Sequence, residues 1–171
     1  MARIYSRGHV ALRRGRWSNP AATYFLTFCT QDRNPGLADN DVRTCLETVA
    51  RRLGNEHAWH LRTAAIMPDH VHLLVSLGDS NELSDVVRLF KGRTSPCLRK
   101  AAIGWQKAYF DHQLRSAEDM LPIFLYIFLN PYRANLLPRS ERWPGYYCSQ
   151  EDWAWFGALT NEAIPMPEWL A

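Results

Sequence analysis

Two pairs of polar residues stand out against apolar surroundings. His70 and His72 are one residue apart in Met67-Pro-Asp-His-Val-His-Leu-Leu-Val75, and Tyr126 and Asn130 are four positions apart in Ile123-Phe-Leu-Tyr-Ile-Phe-Leu-Asn130. Imidazoles are common metal ligands, an amide oxygen can add to a ligand set, and a phenol becomes a nucleophile once its proton is removed. Together these groups suit attack on a phosphodiester. The anionic oxygens of such a bond repel nucleophiles, and a cation bound to them offsets charge in the transition state. A phosphotyrosine product would keep the bond energy for rejoining. Each pair also has an ordinary explanation: histidines at i and i+2 as half-exposed strand residues, Tyr126 as a core aromatic, Asn130 as a helix C-cap before Pro131.

Whether the pairs can meet depends on the elements that carry them. Alternation along a strand puts His70, His72, Leu74 and Ser76 on one face and Val71, Leu73, Val75 and Leu77 on the other. The apolar set marks the helix-covered face, so the histidines are expected on the more open one. Tyr126 and Asn130 share one face of a helix. If that face lies against the histidine strand, Asn130 completes a metal shell and the Tyr126 hydroxyl sits beside it.

The remaining pattern supplies a scaffold. Residues 23–30 read as a strand closed by a turn at 32–36, and 39–54 as an amphipathic helix ending at Gly54. Runs 59–67 and 71–77 form a hairpin across Pro68-Asp69. Leu83, Val86, Val87 and Phe90 form a short helical stripe that Gly92 and Pro96 are expected to interrupt. A fourth strand is read over 105–112. A final helix opens with a capping signature at Ser116 and Asp119 and stops at Pro131. After Leu137 an irregular tail is expected. This order predicts an α+β domain with a mainly antiparallel sheet and helices packed on one face. Residues 1–150 are read as the body with a basic arm, and 151–171 as a tail packed on it.

Composition narrows the class. Of 171 residues, 47% are apolar and 12% aromatic, enough for one substantial core. The four cysteines show no CxxC pair or regular spacing, which points to neither a zinc ribbon nor a disulfide framework and favours a reducing cytoplasm. There is no leader-like h-region and no apolar run of about 18 residues, so secretion and membrane insertion are not expected. Net charge is only +3, yet Arg3, Arg7, Arg13, Arg14 and Arg16 all precede the first acidic residue, Asp32. Such an arm could neutralise nucleic-acid phosphates or be a solvated tail. Arg88, Lys91, Arg93, Arg99 and Lys100 form a second basic cluster, and Trp105 is one aromatic able to stack on an unpaired base.

The two blocks also carry a family resemblance. Met67 to Val75 resembles the HUH motif of single-tyrosine, IS200-like transposases, with Val71 as its middle hydrophobic residue. Tyr126-Ile-Phe-Leu-Asn-Pro-Tyr-Arg-Ala-Asn-Leu136 resembles the tyrosine helix of the REP-associated branch, and Trp105-Gln106 with Asp111-His112 resembles the segment between. The likeness spans about residues 24 to 147 in the family's order. It implies a ferredoxin-like or RRM-like HUH endonuclease core, with His70 and His72 as metal ligands, Tyr126 as nucleophile and Asn130 as third ligand. The implied cofactor is Mg2+ or Mn2+, and the implied partners are single-stranded DNA hairpins of REP-type palindromes. A cytoplasmic, nucleoid-associated protein is expected, monomeric by preference with a dimer as the alternative. Tyr132 and Asn135 depart from the family pattern, standing where a small aliphatic residue and a glycine are usual.

Two other classes fit parts of the pattern. A non-cleaving RRM-like binding module would stack bases and need no His70, His72 and Asn130 set. A metal-dependent phosphodiesterase would activate water and tolerate loss of the Tyr126 hydroxyl.

Overall fold

The computed structural model of the chain describes residues 21–115 and 120–160. Among the described residues five strands make one antiparallel sheet: β1 (Thr23–Cys29), β2 (Trp59–Ile66), β3 (His70–Leu77), β4 (Phe110–Gln113) and β5 (Tyr146–Cys148), in the spatial order β4-β1-β3-β2-β5. The α-helices are α1 (Asn40–Asn55), α2 (Leu83–Lys100), α3 (Met120–Arg133) and α4 (Gln150–Phe156). The α+β class and the antiparallel pairing agree with the sequence reading. The expectation of helices on a single face is corrected, because α1 and α2 cover one face while α3 and α4 cover part of the other.

The first face is a continuous apolar seal. Asp39 caps α1 by accepting from Asp41 N at 2.9 Å and Val42 N at 3.1 Å, and the helix buries Val42, Leu46, Ala50 and Leu53 on one stripe. Opposite them lie Leu26 and Phe28 of β1 and Val71, Leu73, Val75 and Leu77 of β3. α2 does not stop at Gly92 or Pro96 but runs on to Lys100. A helical proline clashes with the carbonyl four residues back, here that of Gly92, whose surroundings are open. Burial of Phe90, Thr94 and Leu98 along the same stripe holds the helix on course. Cys45 on α1 and Cys97 on α2 are disulfide-bonded, a pairing that their spacing did not reveal.

The second face is stitched from chain beyond residue 120. Phe124, Ile127, Phe128 and Leu129 of α3 pack with Phe25, Ala65 and Leu74 of the sheet and Phe156 of α4. The irregular tail expected after Leu137 is corrected, since β5 pairs with β2 and α4 follows at once. Ser149 caps α4, accepting from Asp152 N at 3.0 Å and donating to Asp152 Oδ2 at 2.7 Å. A register shift between Leu61 and Thr63 turns Arg62 onto this face, where it pairs with the Asp152 carboxylate and donates to Met120 Sδ at 2.8 Å. Phe156 is fully buried, so the expected boundary at residue 150 falls within a packed element, while residues 161–171 lie outside those described.

Two further differences concern edges. The fourth strand begins at Phe110 rather than at Trp105, which makes only an isolated bridge to Thr30. α3 continues through Pro131 to Arg133, and the capping signature read at Ser116 and Asp119 lies outside the described residues. Among the described residues no helix is long and apolar enough to cross a membrane.

Candidate functional site

The hairpin turn at Met67-Pro68-Asp69 fixes where β3 starts. Met67 N donates to His70 O at 2.8 Å, and Asp69 O accepts from both the backbone N and the Oγ1 of Thr30, at 2.9 Å each. β1 runs alongside, with Cys29 opposite His70 and Thr27 opposite His72. Facing partners in a sheet share a side, so the two histidines, Cys29, Thr27 and Phe25 all look toward α3. That face is roofed rather than open: His72 is 4% exposed, beneath Tyr126 with ring centroids 5.2 Å apart.

The two imidazoles converge. Their Nε2 atoms are 3.1 Å apart, while each Nδ1 is held from behind, that of His70 by Asp69 Oδ1 at 2.6 Å and that of His72 by Thr27 Oγ1 at 2.9 Å. A carboxylate accepting from His70 Nδ1–H leaves the Nε2 lone pair facing the cleft. Burial holds His72 well below the usual imidazole range, helped by the nearby His70 and Arg33. Burial also lowers His70, although Asp69 works against it. Both shifts favour the neutral ring, the form that donates to a cation.

α3 supplies the other wall. Tyr126, Asn130 and Arg133, at i, i+4 and i+7, lie along one stripe of the helix. They line a cleft of about 480 Å3 with His70, His72 and Arg33, a volume in the range of small-molecule sites. The four residues singled out for chemistry thus meet in one place. Among the described residues no three His, Cys, Asp or Glu side chains cluster to hold a metal ion. A third protein donor to such an ion would have to be of another type, and the Asn130 amide is in the cleft. Two convergent neutral imidazoles and an amide oxygen fit a divalent cation with open positions left for substrate.

The expected DNA-contact residues fare differently. Arg3, Arg7, Arg13, Arg14 and Arg16 lie outside the described residues. Lys91 donates to the Gln106 carbonyl at 2.8 Å and covers the Phe28 ring, and Trp105 Nε1 donates to Thr94 Oγ1 at 2.9 Å. Both serve the α2 side of the sheet, opposite the cleft. Arg93 pairs with Glu56 and Arg88 with Asp85 on exposed helix surface of that same side. Arg33 and Arg133, which do line the cleft, were missed. The spacing of Arg133 from Tyr126 was the available signal, whereas Arg33 reaches the site only through a turn.

The two departures from the family pattern have local explanations. Asn135 adopts φ 54°, a left-handed conformation that asparagine tolerates nearly as well as glycine, and the α3 terminus closes there with Leu136 N on Pro131 O. Tyr132 faces away from the cleft, buried against Phe128 with its hydroxyl donating to Glu141 O at 2.9 Å.

A Haemophilus influenzae protein carrying the name REP-associated tyrosine transposase is 22% identical over 137 residues, covering 71% of this chain and 76% of its own. The ISDra2 transposase TnpA of Deinococcus radiodurans is 29% identical over 84 residues, covering 49% and 59%. A solved structure of a REP-associated tyrosine transposase bound to a REP hairpin superposes with a TM-score of 0.66 at 20% identity, covering 77% and 79%. Fold alone does not carry function, since tRNA(His) guanylyltransferase of Saccharomyces cerevisiae superposes at 0.50 with 9% identity. The family described as "Transposase IS200 like" matches residues 19–117, which contain both histidines, and Tyr126 and Asn130 reach the same cleft through α3. On that match, which spans more than half of the sequence, the chain belongs to the IS200-like transposase family.

Proposed function

We propose that the chain nicks single-stranded DNA through a covalent phosphotyrosine at Tyr126 and can rejoin it, acting on hairpins of REP-type palindromes. The observation that carries this reading is the convergence of His70, His72, Tyr126 and Asn130 on one cleft of an IS200-like transposase. The relatives named for REP elements, one of them bound to a REP hairpin, supply the substrate class.

The chain's own groups divide the work. His70 and His72 present Nε2 to the cleft, with Asp69 and Thr27 fixing their rings. With Asn130 they would hold a divalent cation, magnesium or manganese, which when bound polarises the phosphate and offsets its growing charge. The Tyr126 oxygen forms a bond to phosphorus as the bond from phosphorus to a sugar oxygen breaks. The phenol proton passes to water, and the departing sugar oxygen takes one up. Rejoining reverses these steps, with the free sugar hydroxyl attacking the phosphotyrosine. Because α3 packs on the sheet of its own chain, one protomer contains the whole set, which favours a monomer.

The test uses single-stranded hairpins from the flanks of the gene, incubated with the protein and magnesium or manganese. A covalent adduct on a denaturing gel, absent with chelator and absent in Tyr126→Phe, is expected. Cleavage surviving in Tyr126→Phe would favour water as nucleophile, and tight binding without cleavage would favour the binding module.

A further inference from the structure

The cleft contains two charged side chains that the nicking chemistry above does not use. We propose that Arg33 and Arg133 form a two-sided clamp on the phosphate to be cut, holding its non-bridging oxygens from opposite walls; the inference rests on the nicking reading.

Position argues for both. Arg133 lies seven residues after Tyr126 and three after Asn130, on the same stripe of α3, with its guanidinium carbon 5.7 Å from the Tyr126 ring centroid. Arg33 comes from the other wall, at the exit of β1 beyond Cys29, which pairs with His70. The backbone there is unusual: Asp32 and Arg33 have φ of 53° and 56°, a region that residues with a Cβ seldom occupy twice in succession. Such conformations concentrate at functional sites, where surrounding contacts hold them. Here the contacts are Arg33 Nε to Asp69 Oδ2 at 3.0 Å and Nη1 to Cys29 Sγ at 2.9 Å. Among the described residues Arg33 Nη2 has no hydrogen-bond partner, and the side chain is 53% exposed.

Charge points the same way. Among the described residues, Arg33 and Arg133 line the cleft and no carboxylate does, so the lining suits an anionic group. A guanidinium offers paired N–H donors at the spacing of phosphate oxygens. As the Tyr126 oxygen approaches phosphorus, charge grows on the non-bridging oxygens, so donors already aimed there gain strength in the transition state. Neither arginine gives or takes a proton in the step. Asp69 ties the clamp to the ligand set, since the carboxylate that holds Arg33 also accepts from His70.

Binding can be measured without turnover in Tyr126→Phe protein. A hairpin series, each with one uncharged methylphosphonate at a successive linkage of the single-stranded flank, locates the phosphate whose charge matters. The clamp predicts one linkage where neutralisation weakens binding about tenfold, and predicts that this penalty shrinks when Arg33→Ala or Arg133→Ala is added and is smallest when both are. Lysine at either position should restore part of the penalty, with unchanged melting temperatures showing that the fold is intact. With Tyr126 present, Arg133→Ala should slow adduct formation by about 100-fold in a single turnover. Penalties undiminished in both alanine variants at every linkage would overturn the clamp. A coupled linkage in a protein that forms no adduct would leave the clamp standing and sink the nicking reading. An adduct with no coupled linkage would do the reverse.

Discussion

The two faces of the sheet are built by opposite rules. Toward α1 and α2, β3 presents Val71, Leu73, Val75 and Leu77 to an aliphatic and aromatic layer in which Phe28 stacks on Phe90 at 5.3 Å. Toward α3 and α4, the same strand presents Leu74 to a core but His70 and His72 to a cleft, and the helices are anchored by the part-buried pair of Arg62 and Asp152. One face therefore stabilises by excluding water uniformly. The other gives up packing where the cleft opens and compensates with a polar tie. Alternation of neighbouring side chains between the two faces of β3 is what lets a single strand serve both.

This contrast can be broken from either side. The largest effect is expected on the sealed face: Phe28→Ala removes a fully buried ring and should cost about 4 kcal/mol of unfolding free energy in urea. A loss below about 1 kcal/mol would mean that this layer collapses easily and is no seal. On the other face, Asp152→Asn leaves the Arg62 guanidinium, 18% exposed, without its carboxylate, and should cost about 3 kcal/mol. Burial works to raise the Asp152 carboxyl, but Arg62 and Ser149 overcome it and hold it below the usual carboxylate range. A depressed group contributes stability above its unfolded value, near about 3.9, and loses it as pH falls through the lower folded value. Wild type should accordingly lose stability steeply on acidification in that window, and Asp152→Asn more gently. Equal acid limbs in chemical denaturation would show that the tie contributes nothing.

Smaller effects sharpen the comparison within the cleft and outside it. Thr27→Val deletes the hydrogen bond behind His72 and should lower stability by about 1 kcal/mol while weakening manganese binding measured by titration calorimetry. Manganese affinity unchanged from wild type would detach Thr27 from the ligand set. Arg88→Ala, whose partner Asp85 is also exposed, should change stability by no more than about 0.5 kcal/mol and leave hairpin affinity unaltered. A clear drop in affinity would return the α2 surface to the DNA interface.

How much of this was legible follows from the same contrast. Strict alternation in β3 and the 3.6 period of α1 are local, so the sealed face and the facing of the histidines could be read directly. The meeting of Tyr126 with His72 could be read only as a possibility of two faces, because the packing of α3 is a long-range choice. β5 is three residues long and carries no period, and α4 was signalled only by Ser149 and Asp152, a capping pair overlooked among tryptophans. α2 ran through Gly92 and Pro96 because burial of Phe90 and Leu98 outweighed local propensity. Clustering of basic residues did not locate the cleft, since Lys91 bonds carbonyls and covers aromatic faces on the other side of the sheet while Arg33 reaches the cleft through a left-handed turn with no sequence signature.

The central claim is that the cleft face uses Tyr126, and no other tyrosine, as the group that joins to DNA. Digesting the covalent adduct with trypsin and sequencing the DNA-linked peptide by mass spectrometry tests this directly, because cleavage after Arg115 and Arg133 releases Tyr126 and Tyr132 together with no other tyrosine. The account predicts a nucleotide remnant on Tyr126 alone. A remnant on Tyr132, or on a peptide from elsewhere in the chain, would contradict it.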